Sequence, residues 1–143
     1  MRVAPGPRAT TLVAAVAALG AAGYLGSVRD DEVRLADARS TLQSGDLQQA
    51  RDVARQVGGQ AEGRAAVLAG GISVVLGDLP GAERDLRTAI ERRPSDWRAR
   101  RDLATVLAVR GDVQGARRQA QRTLRLNPRA VLPPAFQVRV LGR

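Results

Sequence analysis

The hexapeptide Gly77-Asp78-Leu79-Pro80-Gly81-Ala82 returns 34 residues later as Gly111-Asp112-Val113-Gln114-Gly115-Ala116. Twelve residues after the alanine of each copy stands a proline, Pro94 and then Pro128. Laying 63–96 on 97–130 without a gap gives nine identities: Arg64/Arg98, Ala65/Ala99, Val75/Val109, Gly77/Gly111, Asp78/Asp112, Gly81/Gly115, Ala82/Ala116, Arg84/Arg118 and Pro94/Pro128. A fixed period of this size marks an array of stacked units, and about 34 residues is the length of a helix–turn–helix unit. The expected fold is therefore all-α, built from paired helices.

Each hexapeptide carries the chemistry of a turn between two helices. Gly77 and Gly111 follow the apolar runs 72–76 and 106–109, where a glycine in the left-handed conformation closes a helix. The aspartate after it is a good N-cap, its carboxylate accepting from free amides of the next helix. Pro80 falls near the first turn of that helix, where a missing amide costs nothing. Ala82 and Ala116 are small, as a close approach of antiparallel helices requires. Leu86, Ala89 and Ile90 then recur at helical spacing, as do Ala116, Ala120, Thr123 and Leu124. Pro94 and Pro128 end the second helices, because the residue before a proline is pushed out of the helical region.

This pattern resembles the tetratricopeptide repeat family, whose motif joins a Gly-Asp turn, a small residue five after the glycine and a closing proline. Gly70 and the Leu103-Ala104 pair fit its first helix. Ala66 and Arg100 stand where family members often carry an aromatic, and the large residue of the second helix is Leu86 in one unit but Ala120 in the next. The resemblance implies a short solenoid whose first helices line a concave side that holds a peptide. It places Leu35, Arg39, Val67, Gly71, Val74, Arg98, Arg101 and Thr105 along that groove. The paired basic and Asn side chains with which some members grip a C-terminal carboxylate are not matched, since Asn is absent from the three first helices. Arg98 and Arg101 remain candidates for an acidic peptide.

Around the two clear units the chain divides further. Residues 1–28 hold a short basic leader, with Arg2 and Arg8, and then the 20-residue charge-free run Ala9–Val28. At 1.5 Å per residue that run is about 30 Å long, the thickness of a bilayer core. An uncleaved transmembrane anchor and a cleaved signal peptide both fit it, and its length favours the anchor. Arg2 and Arg8 against Arg29, Arg34 and Arg39 leave orientation nearly balanced. A short basic tail is the usual form of a signal-anchor, which puts the C-terminal domain outside the cytoplasm. Ala14, Ala18, Ala22 and Gly26 form a small-xxx-small face, though such spacing arises easily by chance in an Ala-rich run. Residues 29–62 read as a degenerate first repeat: Val33, Leu35, Ala38 and Leu42 on one side of a helix, the turn Ser44-Gly45-Asp46-Leu47, and a second helix with Ala50, Val53, Ala54 and Val57 that stops at Gly58-Gly59. Residues 131–143 read as a capping segment, with a short helix over 135–141.

Composition narrows the function. The chain has no Cys and no His, so thiolate nucleophiles, the commonest general base and the commonest metal ligands are all missing. Gly58-Gly59 and Gly70-Gly71 lack the spacing of a nucleotide loop, and Asp30-Asp31-Glu32 reads as the hydrophilic collar of a membrane exit. No enzyme, cofactor or metal site is expected. All 23 basic residues are Arg, a global bias that points to no site. Their distribution is informative: 97–143 holds eleven Arg against Asp102 and Asp112, whereas 29–96 holds ten against twelve acids.

The expectation is a membrane-tethered, non-enzymatic scaffold in a bacterial envelope assembly, single-pass in the cell membrane, binding a protein or peptide partner. With barely three repeats and a small-residue core, the array is expected to be marginal alone and to be completed by a partner or by self-association. The alternative is an anion-binding module that meets acidic lipid, an envelope polymer or nucleic acid through the basic patch Arg117, Arg118, Arg122 and Arg125. Nucleic acid is the weaker of these, for no aromatic is interleaved for stacking.

Overall fold

A computed structural model describes residues 29–133. Six helices fill that span: α1 over 29–43, α2 Leu47–Arg55, α3 Glu62–Val75, α4 Leu79–Arg92, α5 Trp97–Val109 and α6 Val113–Leu126. There is no strand among the described residues. Each helix packs on its sequence neighbour from α2 onward, and α3 also touches α5, which is the layout of a helical solenoid. The proposed membrane run 9–28, its small-residue face and most of the C-terminal cap, 134–143, lie outside the described residues. Among the described ones, no helix is long and apolar enough to cross a membrane.

The turns follow from their glycines. Gly45, Gly77 and Gly111 have φ of 90°, 77° and 88°, a region in which a Cβ is crowded. At Gly77 the glycine amide donates to Val74 O (3.0 Å) and Asp78 N to Ser73 O (2.9 Å). Gly111 N to Ala108 O (3.2 Å) and Asp112 N to Leu107 O (2.9 Å) repeat the pair. These two bonds define the Schellman closure. The same aspartates then open the next helix, Asp78 accepting from Gly81 N at 2.9 Å and Asp112 from Gly115 N at 2.8 Å. The first turn is a variant. Asp46 caps Gln49 N at 3.0 Å, but Ser44 Oγ donates to Thr41 O, the carbonyl that the aspartate amide takes in the other two turns. At the far ends, Arg93 and Asn127 leave helical geometry ahead of Pro94 and Pro128, with φ/ψ of −135°/77° and −143°/96°.

Alanine makes much of the core. Leu86, Leu103, Val106, Leu107 and Leu132 enclose Ala82, Ala104, Ala116 and Ala120. Ala66, Ala89 and Ala99 join α3, α4 and α5, and Ala38, Ala54 and Ala69 join α1, α2 and α3. The two clear hairpins exchange volume at one point. A Cβ on Gly70 would stand 2.8 Å from Leu86 Cγ, so α3 needs a glycine opposite that leucine. One repeat later the facing pair is Ala104 and Ala120, both fully buried.

Two details differ from the sequence expectation. Val33, assigned to the buried side of the first helix, is 61% exposed, while Leu35 and Ala38 are fully buried. The second helix ends at Arg55 rather than Gly58-Gly59, and Val57 turns inward from the loop to meet Leu35, Ala61 and Ala65. The described part of the cap has Leu132 buried in the core and Val131 exposed.

Substitution of Gly77 or Gly111 by Ala is expected to cost about 1–2 kcal/mol of stability in a urea melt. Gly71→Ala, in mid-helix with nothing within 4 Å of the added Cβ, instead raises stability by about 0.5–1 kcal/mol. A double-mutant cycle probes the volume exchange: Gly70→Ala and Leu86→Ala each destabilise, and the combined variant loses less than their sum.

Candidate functional site

A cavity lies open between α3 and α5. Its volume is about 380 Å³, and it is walled by Gly71 and Val74 from α3 and by Arg101, Thr105, Val106 and Val109 from α5, with Gly70 and Leu86 behind and Pro133 at one end. Four of the eight groove residues expected from the sequence, Gly71, Val74, Arg101 and Thr105, meet there. Their convergence follows from the period, since Gly71 and Thr105 are one repeat apart. Val74 and Val109 remain 43% and 66% exposed, so the wall is apolar and open to solvent.

The other four go elsewhere. Leu35 is fully buried: it packs against Val57, Ala61 and Ala65 as a core residue, which corrects its assignment to the groove. Val67 is half-buried against the Ala66, Ala89 and Ala99 cluster. Arg39 is exposed on α1, away from the cavity wall. Arg98 does not pair with Arg101 in the groove; its guanidinium lies over the Trp97 ring, 4.7 Å from the centroid. Arg101 sits 5.7 Å from that ring and donates to Asp102 Oδ1 at 2.9 Å. Among the described residues, the one cation lining the cavity is thus already paired with a carboxylate on the same rim, and the cavity's lining is apolar rather than basic.

A polar cluster that the sequence reading did not single out joins the first hairpin to the second. Arg55 on α2 donates through Nε to Asp85 Oδ1 (3.1 Å) and through Nη2 to Asp85 Oδ2 (2.9 Å). Ser73 Oγ, fully buried, donates to Asp85 Oδ2 (3.1 Å) and accepts from Arg55 Nη2 (3.2 Å). The hydrogen bond to Asp85, opposed by burial, raises the Arg55 pKa above its ordinary value. Arg51 approaches Asp78 at 3.5 Å beside it. The signal was present in the repeat, where Ser73 and Asp85 stand opposite Leu107 and Gln119 of the next unit. These hydrogen bonds order the interface between the two hairpins, and Arg55 and Asp85 also line a second cavity of about 230 Å³ with Glu62 and Thr88.

Arg117, Arg118, Arg122 and Arg125 are all exposed on α6. Behind them, Arg100 donates to Pro94 O at 2.8 Å and to Gln119 Oε1 at 3.4 Å, both neutral acceptors. Burial, and then the nearby Arg122 charge, push the Arg100 pKa down.

Comparison with known proteins agrees with this architecture. The sequence model of the tetratricopeptide repeat family matches residues 74–131. No curated protein matches the chain. Among solved structures, a mutant O-GlcNAc transferase from Thermobaculum terrenum superposes with a TM-score of 0.60 at 21% identity, over 72% of the present chain. The chain spans only 20% of the length of that transferase, and the likeness is one of fold.

Replacing Arg55 or Asp85 by Ala separates the first hairpin's attachment from groove formation. Each single variant is expected to lose about 1–3 kcal/mol, because the partner is left unpaired. The double variant loses less than the two together, and a chemical-denaturation cycle measures the difference.

Proposed function

We propose that this chain, whose residues 74–131 match the tetratricopeptide repeat family, is a non-enzymatic scaffold holding a protein partner by a peptide segment in the groove between α3 and α5. One observation carries the reading: an apolar, solvent-open cavity of about 380 Å³ with valines on both walls and a hydroxyl and a guanidinium on its rim. Ligand-sized clefts span about 300–1,000 Å³ and combine an apolar lining with a few polar groups. The partner segment presents apolar side chains to Val74, Val106 and Val109 and a hydrogen-bonding group to Thr105. Because Arg101 is held by Asp102, net negative charge on the peptide contributes little.

The scaffold works at a membrane in this reading. The charge-free run 9–28 is the tether, chosen over a cleaved leader for its length, with the repeats on the outer side of a bacterial cell membrane and the partner a component of an envelope assembly. Exposed Val75 and Val113 give self-association a place to begin.

Full-length chain carrying a photoreactive residue at Val109 tests this reading in membranes. It is expected to crosslink a discrete protein, and Val74→Asp is expected to cut that adduct at least tenfold. The adduct should persist in about 1 M salt, where the Debye length falls to about 3 Å. An adduct unaffected by Val74→Asp contradicts the groove. Recovery of the mature chain in the soluble fraction, with the adduct intact, contradicts the tether alone.

A further inference from the structure

Helices α4 and α6 are the same element in successive repeats, yet their charges differ. Along α4, Glu83, Asp85 and Glu91 balance Arg84, Arg87 and Arg92. At the positions one repeat later α6 carries Arg117, Gln119 and Arg125, so every acid has been exchanged and the helix holds four arginines and no carboxylate. Ion pairing follows the same division. Glu83 is bound by Arg87 at 2.6 Å and by Arg110, Glu62 by Arg92 at 2.8 Å, and Glu32 by Arg64. No carboxylate among the described residues pairs with Arg118, Arg122 or Arg125. These three recur at i, i+4 and i+7, so they lie on one side of the helix and span about 10 Å along it. The side that packs inward is marked by Gly115, Ala116, Ala120 and Thr123. The arginine row is therefore a straight, exposed edge, and Arg100 lies behind it, held only by neutral acceptors.

We infer that this α6 face, centred on Arg118, Arg122 and Arg125, rests on the anionic lipid headgroups of the membrane to which the chain is tethered. A row of guanidiniums on one rigid helix suits a plane of phosphates, and a nucleic acid is disfavoured because no aromatic side chain belongs to α6. Near an anionic surface each arginine contributes on the order of fivefold to binding, so three together contribute on the order of a hundredfold. The contact turns the domain so that α6 faces the bilayer, and the groove between α3 and α5 belongs to other helices than the one held down. The inference rests on the proposed tether and is independent of the groove's occupant.

The chain has no cysteine, so Gln121→Cys, exposed between Arg118 and Arg122, gives a single attachment point for a fluorescent donor. The labelled full-length chain is placed in vesicles of phosphatidylcholine alone, or with phosphatidylglycerol, each carrying a headgroup-labelled acceptor lipid. Co-flotation with phosphatidylcholine vesicles reads the tether by itself. Energy transfer is expected to be low on phosphatidylcholine and high with phosphatidylglycerol. It should fall back at about 1 M salt and be lost in R118Q/R122Q/R125Q, which retains its helical circular dichroism and still co-floats. Equal transfer on both vesicle types overturns the inference, as does transfer that survives the triple substitution. A DNA duplex captured through the same three arginines, with no transfer on phosphatidylglycerol, assigns the face to nucleic acid and overturns it as well.

Discussion

A glycine held at positive φ, followed at once by an aspartate that both closes one helix and opens the next, is the constraint on which this structure depends. At Gly77-Asp78 and Gly111-Asp112 the aspartate amide binds the carbonyl of the helix it leaves, and its carboxylate binds an amide of the helix it enters. The chain therefore reverses within three residues, and the two helices are set antiparallel at a distance that only small side chains tolerate. Alanine at 82 and 116, fully buried, follows from that spacing. The repetition of the turn after 34 residues then puts equivalent positions of α3 and α5 side by side, which is what brings Gly71, Val74 and Thr105 to one cavity.

Because each repeat contacts only its neighbours, the units are free to solve local problems differently. The second hairpin fills its interior with Leu86 against Gly70, and the third uses Ala120 against Ala104. At the junction of the first and second hairpins, Arg55, Ser73 and Asp85 make a hydrogen-bonded interface. One unit later Leu107 makes an apolar one. The outer helices diverge most, with α4 electrically balanced and α6 wholly basic. The scaffold thus keeps geometry constant while its surfaces specialise.

What could be read from the chain beforehand divides along the same line. Helix order, the two Schellman turns, the capping aspartates and the ends before Pro94 and Pro128 were all readable, because each depends on a residue with a special backbone property. Half of the groove was readable, because a period carries Gly71 to Thr105. Leu35 was misplaced because spacing along its helix does not reveal that Val57, from the loop after α2, and Ala61 cover it. The Arg98–Arg101 pair failed for a different reason: spacing along a helix says which side chains share a face, not that Trp97 and Asp102 already engage them. The Ser73–Asp85–Arg55 cluster escaped notice because its members are separated by 12 to 30 residues and meet only once the hairpins stack.

The most direct measurement of the central claim is a set of nuclear Overhauser contacts in the full chain held in detergent micelles. Stacked hairpins closed by left-handed glycines require strong contacts from Gly70 Hα to the Leu86 methyls within one hairpin. They also require contacts from Leu103 and Leu107 to Ala82 and Ala116, across and within the next. Finding both sets, with coupling constants that put φ of Gly77 and Gly111 above zero, is the result this structure predicts. Hairpins that form internally but show no contact between Leu103 or Leu107 and Ala82 would contradict it, for the groove exists only if the repeats stack.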